Sequence, residues 1–147
     1  MFFKVNFFSS VRTGLPPEFI RKIIKQSLKK LKVKKGGEIS LVFTDEKTIR
    51  RLNKKYRKKN KPTNILSFVF ADKKNFVSPS SQGLKGEIII CPAQAKREAK
   101  KEGISLRSKI TLLIVHGLLH LFGFDHKNKN QREKMEAKEK ELINSAI

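Results

Sequence analysis

The chain has 147 residues and a formal net charge of +21, from 34 Lys and Arg against 13 Asp and Glu. That excess goes far beyond what solubility requires, so a polyanionic partner is expected and nucleic acid is the first candidate. A hydrophobic fraction of 38%, including eleven Phe, suits one folded domain over residues 1–147 with a real core, and a single Cys excludes an intramolecular disulfide.

The first element is a strand, because Phe3, Val5 and Phe7 alternate with Lys4 and Asn6 at the period of a half-buried strand. Pro16 and Pro17 suit a helix start, and Phe19, Ile20, Ile23, Ile24, Leu28 and Leu31 recur at helical spacing until Gly36-Gly37 ends the pattern. Ile39 to Phe43 gives a second strand, after which Thr44 or Asp45 caps a helix carrying Ile49, Leu52 and Tyr56. That helix is very basic. Lys54, Lys55, Arg57, Lys58, Lys59 and Lys61 gather toward its end and into the loop before Pro62.

Asn64 to Phe70 reads as a third strand, and residues 71–85, rich in Ser, Asn and Lys, as a long loop. Gly86 to Cys91 is a short apolar strand, and Pro92 opens a helix that runs to about Gly103. Cys91 at the strand end reads as a core residue rather than a metal ligand. Ser105 caps a helix that is apolar nearly all round from Ile110 to Phe122, so this helix should be buried. A charged helix over 129–144 closes the pattern, with a thin apolar stripe of Met135, Leu142 and Ile143. The order β-α-β-α-β-β-α-α-α implies an α+β fold, a small mixed sheet of about four strands covered by helices, with a parallel pair across the first helix.

The apolar run Ile110 to Phe124 is shorter than the roughly 20 residues of a membrane span and contains two histidines. No membrane association is expected. The first residues, Met1 to Phe8, lack a basic leader followed by a continuous apolar core, and a cytoplasmic location follows as an expectation.

All three histidines, His116, His120 and His126, lie within eleven residues. His116 and His120 are four apart, so on a helix both rings face one way. Gly123 lets the chain leave the helix in a left-handed turn and bring His126 back to the same point. Three buried imidazoles need partners, and one shared metal supplies them all. Imidazole suits zinc, and three protein ligands leave a fourth position for water, as in catalytic zinc sites. The spacing equals that of the long zinc-protease pattern H-E-x-x-H-x-x-G-x-x-H, except that Gly117 stands where that pattern has its glutamate base. This is the metal helix of a zincin without the peptidase base. Proton transfer is left to the metal-activated water, to another side chain, or to an RNA 2'-hydroxyl acting as nucleophile. Asp125 either orients the His126 ring from behind or caps the turn.

The string His116 to His126 resembles the HGxLHLxGYDH motif of the YbeY family of endoribonucleases and rRNA maturation factors. Leu52 to Arg57, followed by Pro62 to Phe68, is similar to that family's LNxxYR and PTDVLSF segments, and Gly86 to Cys91 to its GDI-type strand. The resemblance implies a zinc-dependent endoribonuclease that prefers single strands and acts in 16S rRNA 3'-end maturation and ribosome quality control. It implies zinc at His116, His120 and His126, a functional arginine at Arg57, and the small ribosomal subunit and assembly factors as partners. Lys54, Lys55, Lys58, Lys59 and Lys61 are then candidates for RNA phosphate contacts. Phe124 stands where the family has Tyr, Asn64 and Glu87 where it has Asp, and Asn60 where Asp is frequent. Two other readings remain: an RNA-binding assembly factor with a structural zinc, and a metal peptidase, which Gly117 and the charge oppose.

Overall fold

A computed structural model describes residues 3–33, 36–69 and 85–146. Residues 70–84, nearly all of the expected loop, lie outside them; Lys85 opens a strand. Among the described residues the order is β1 (Phe3–Ser9), α1 (Pro17–Lys30), β2 (Gly37–Phe43), α2 (Glu46–Arg57), β3 (Ile65–Val69), β4 (Lys85–Ile90), α3 (Pro92–Glu102), α4 (Leu106–Leu121) and α5 (Lys129–Ala146). This is the expected α+β arrangement. The strands form one mixed sheet in the order β1-β2-β4-β3. β1 and β4 both run parallel to β2, while β3 runs antiparallel to β4 at the edge. The parallel pair across α1 is thus present.

Strand alternation splits the core into two layers. Ile39, Leu41 and Phe43 of β2 and Ile88 and Ile90 of β4 face α1, α4 and α5, where they meet Ile20, Ile24, Ile114, Leu118 and Leu142. The opposite face is smaller: Leu66, Ile89 and Cys91 pack under Ile49 of α2, with Leu52 and Phe68 at the margin. Cys91 is fully buried there and is not part of the histidine group.

The helix caps follow the sequence closely. The Asp45 carboxylate accepts the Thr48 backbone N–H at 2.7 Å, and the Ser105 hydroxyl accepts that of Ser108 at 3.0 Å. The first helix, however, ends at Lys30 rather than at Gly36-Gly37. Lys32 takes the left-handed conformation itself (φ 54°), and Gly37 is already the first residue of β2. The third strand begins at Ile65 rather than Asn64 and is described as far as Val69; Phe70 lies outside the described residues. No single helix among the described residues is long and apolar enough to cross a membrane.

Candidate metal centre and its cleft

α4 is the central helix of the larger core, buried at ten of its sixteen residues. His116 and His120 occupy its half-buried line, with ring centroids 4.6 Å apart and their Nε2 atoms 3.1 Å apart. The helix then closes as Gly123 makes possible: at φ 93°, Gly123 donates its N–H to the His120 carbonyl, and Phe124 donates to that of Leu119. This is a Schellman closure. Phe122 and Phe124 pack against the core and fix the turn, which returns the His126 ring to 5.2 Å from His120 and 5.9 Å from His116.

One nitrogen from each of the three rings lies within 4.8 Å of the others, close enough to hold a metal ion. Two imidazole nitrogens bound to one tetrahedral zinc at about 2.0–2.1 Å stand about 3.3 Å apart, and the His116–His120 pair matches that spacing. The tautomer also fits. His116 Nδ1 lies 2.6 Å from Glu139 Oε1 on α5. A carboxylate can only accept, so Nδ1 carries the proton and Nε2 turns its lone pair inward.

Asp125 touches both the turn and the His126 ring. Its carboxylate accepts the His126 backbone N–H at 2.7 Å, capping the turn, and stands 3.3 Å from His126 Nδ1. That backbone hydrogen bond, helped by Lys127, holds the Asp125 carboxyl below its usual range. Burial pushes His120 below the ordinary imidazole value, and the neighbouring His116 and His126 push it further. Its neutral form, the one able to ligate, is therefore favoured.

Arg57, the last residue of α2, enters the same space. A cleft of about 420 Å³ is lined by Arg57, Asn64, Ser67, Asp125 and the three histidines, among others. Ligand sites commonly measure about 300–1,000 Å³. Lys54, Lys55, Lys58, Lys59 and Lys61 are not among the lining residues; all five are exposed along α2 and the turn after it. That turn is folded back by Asn53, which is 2% exposed and whose Nδ2 donates to the Lys61 carbonyl at 2.9 Å. Lys58 takes the left-handed cap (φ 58°).

Three contributions were not visible in the sequence. Glu139 is one. Asn64 is another: its Nδ2 donates to Glu98 Oε1 at 2.7 Å, and Glu98 also accepts from Gln94 and pairs with the nearly buried Lys109 at 3.2 Å. An aspartate at 64 would set two carboxylates face to face, so Asn64 suits this chain where the family has Asp. Burial alone would raise the Glu98 pKa, yet the bonds from Gln94, Asn64 and Lys109 overcome it and hold it low. Gly117 is the third. A Cβ there would stand 3.0 Å from Ile65 Cδ1, 3.1 Å from Ser67 Oγ and 3.2 Å from Ile88 Cδ1, so a side chain at 117 would press on these three where α4 crosses β3 and β4 and require them to give by a few tenths of an ångström.

A mixed-sheet α+β protein organised around a three-histidine cluster fit for a metal ion is the class that this fold and site define. Within that class the chain belongs to the YbeY family, whose model, described as Endoribonuclease YbeY, matches residues 10–146. Among its relatives, the endoribonuclease YbeY of Chelativorans sp. is 41% identical over 109 residues, covering 74% of this chain and 66% of the relative. That of Zymomonas mobilis is 45% identical over 112 residues, covering 72% and 62%. That of Shouchella clausii is 29% identical over 134 residues, covering 87% and 84%. The matched part of the chain thus spans about two thirds of the length of the first two. The fold resembles the solution structure of TM1509 from Thermotoga maritima, with TM-score 0.65 and 18% identity over 97% of this chain and 88% of that one.

Proposed function

We propose that this chain is a zinc-dependent endoribonuclease that prefers single-stranded RNA and acts in 16S rRNA 3'-end maturation and ribosome quality control. Its partners on this reading are the small ribosomal subunit and assembly factors in the cytoplasm. The observation that carries it is the single cleft shared by His116, His120, His126 and Arg57, in a chain of net charge +21 whose relatives are named endoribonucleases.

When bound by the three histidines, zinc supplies Lewis acidity beside the scissile phosphate. Arg57 offers a planar two-donor fork that matches a phosphate's non-bridging oxygens. Asn64, tethered through Glu98, and Ser67 supply polar groups on the cleft wall. Glu139 keeps the His116 lone pair directed inward, and Asp125 steadies His126. With Gly117 in place of the protease glutamate, peptide hydrolysis by that route is disfavoured, whereas RNA brings a 2'-hydroxyl of its own. The lysines of α2 and its turn attract the backbone electrostatically.

The test is cleavage of a labelled single-stranded 16S rRNA 3' fragment by protein stripped with a chelator and then given zinc back. Cleavage should vanish on stripping and return with about one equivalent of zinc per chain, as a single His-ligated site requires. Equal cleavage before and after stripping contradicts the reading. Binding of the fragment without cleavage under any metal favours an assembly factor with a structural zinc.

A further inference from the structure

Tyr56 immediately precedes Arg57 at the end of α2 and is 55% exposed. One exposed aromatic ring is ordinary on a protein surface. This one, however, is held in place and sits in a particular field. Its centroid lies 5.2 Å from that of Phe68, edge to face at 61°, and Phe68 is anchored against the smaller core layer of Ile49, Leu66 and Ile89. The ring is thus backed by packed structure while much of it faces water. Around it the chain is uniformly basic: no acidic residue occurs from Lys47 to Val69. Lys55 Nζ stands 5.2 Å from the Tyr56 centroid, and Lys54, Lys58 and Lys59 are exposed on the same stretch. Glu87, which pairs with Phe68 across β3 and β4, is pushed up by burial.

A braced, half-exposed aromatic ring among cations has the composition of a stacking platform for single-stranded nucleic acid. A duplex keeps its bases stacked on each other and offers such a ring nothing. Arg57, the next residue, lines the histidine cleft, so a strand whose phosphate sits at Arg57 passes beside Tyr56. We propose that Tyr56, backed by Phe68, stacks on a base of single-stranded RNA flanking the phosphate held at Arg57, and that Lys55 turns from the ring to the adjoining phosphate. The proposal rests on the ribonuclease reading of the neighbouring cleft.

The chain has one Tyr and no Trp, so its intrinsic emission reports on Tyr56 alone. The zinc-loaded protein is titrated with a 2'-O-methyl oligouridylate and with an abasic oligomer of equal length, while anisotropy of the labelled oligomer reports binding. The oligouridylate should quench the emission and the abasic oligomer should not. Tyr56→Ala should weaken oligouridylate binding by about five- to one-hundred-fold and leave abasic binding unchanged, and Tyr56→Phe should restore it. Unquenched emission at saturation, or equal losses for both oligomers in Tyr56→Ala, overturns the platform. Either result leaves the ribonuclease reading standing if the intact protein still cuts the 16S fragment. Failure of the intact protein to bind any oligomer removes both.

Discussion

The two helices that frame the cleft meet solvent in opposite ways. α4 buries ten of its sixteen residues, and α2 buries two of its twelve, Ile49 and Asn53. Each supplies what its environment allows. Packing on nearly every side of α4 holds the helix that carries His116 and His120, the rigid support a metal site requires. α2 holds Arg57, Tyr56 and its lysines in water, where long charged side chains keep their freedom and attract a polyanion over a distance. The metal end of the cleft is therefore built for geometry, and the α2 end for charge.

The sharpest way to break the geometric end is Gly117→Glu, which restores the glutamate of the zinc-protease pattern. Overpacking against Ile65, Ser67 and Ile88 should cost about 1–3 kcal/mol, and the carboxylate brought into that contact adds to it. The denaturant midpoint should fall without any gain of peptidase activity.

Asn53→Ala tests the one buried polar anchor of α2. Losing the bond to the Lys61 carbonyl should destabilise the protein by about 1–3 kcal/mol. The basic turn should become more protease-sensitive while zinc affinity is unchanged.

Glu139→Ala acts only at the metal end. It should weaken zinc binding by about 10- to 100-fold in a chelator competition, with Glu139→Gln intermediate and the thermal midpoint of the metal-free protein nearly unmoved.

A smaller effect is expected of the carboxylate that tethers Asn64. Because Glu98 has its folded pKa below the unfolded value, it contributes stability above the ordinary carboxylate range and loses that contribution as pH falls through the folded value. Glu98→Gln should therefore flatten the acid side of the stability–pH curve and leave its alkaline side alone.

Smallest of all should be single changes such as Lys54→Ala or Lys58→Ala. If the residue contacts a phosphate, the salt dependence of RNA binding should drop by about 0.7 in log–log slope, with no change in zinc affinity.

What could be read from the sequence follows the same division. The histidine cluster was legible because its spacing is local: four residues along a helix, then Gly123 and a turn. The caps at Asp45 and Ser105 and the strand alternation of Phe3, Val5 and Phe7 are local too. Glu139 was not legible, because it lies 23 residues from His116 on a helix that also carries Glu133, Glu136 and Glu141, and nothing in the pattern singles one out. The tie between Asn64 and Glu98 spans 34 residues. The insertion of β4 between β2 and β3 depends on which edges pair, and hydrophobic period carries no information about that. The end of α1 differs for another reason: the helix closes at Lys30 with Lys32 itself in the left-handed conformation, before the Gly36-Gly37 pair at which the sequence pattern ends, and a lysine carries no signal for that conformation.

The most direct test of the histidine cleft as the working centre is cleavage of a labelled single-stranded 16S rRNA 3' fragment by the zinc-loaded protein beside a folded His120→Ala variant. The expected result is cutting by the intact protein and none by His120→Ala, with both retaining the fragment through the unchanged surface of α2. Equal cutting by the two would contradict it and move the chemistry away from the three histidines.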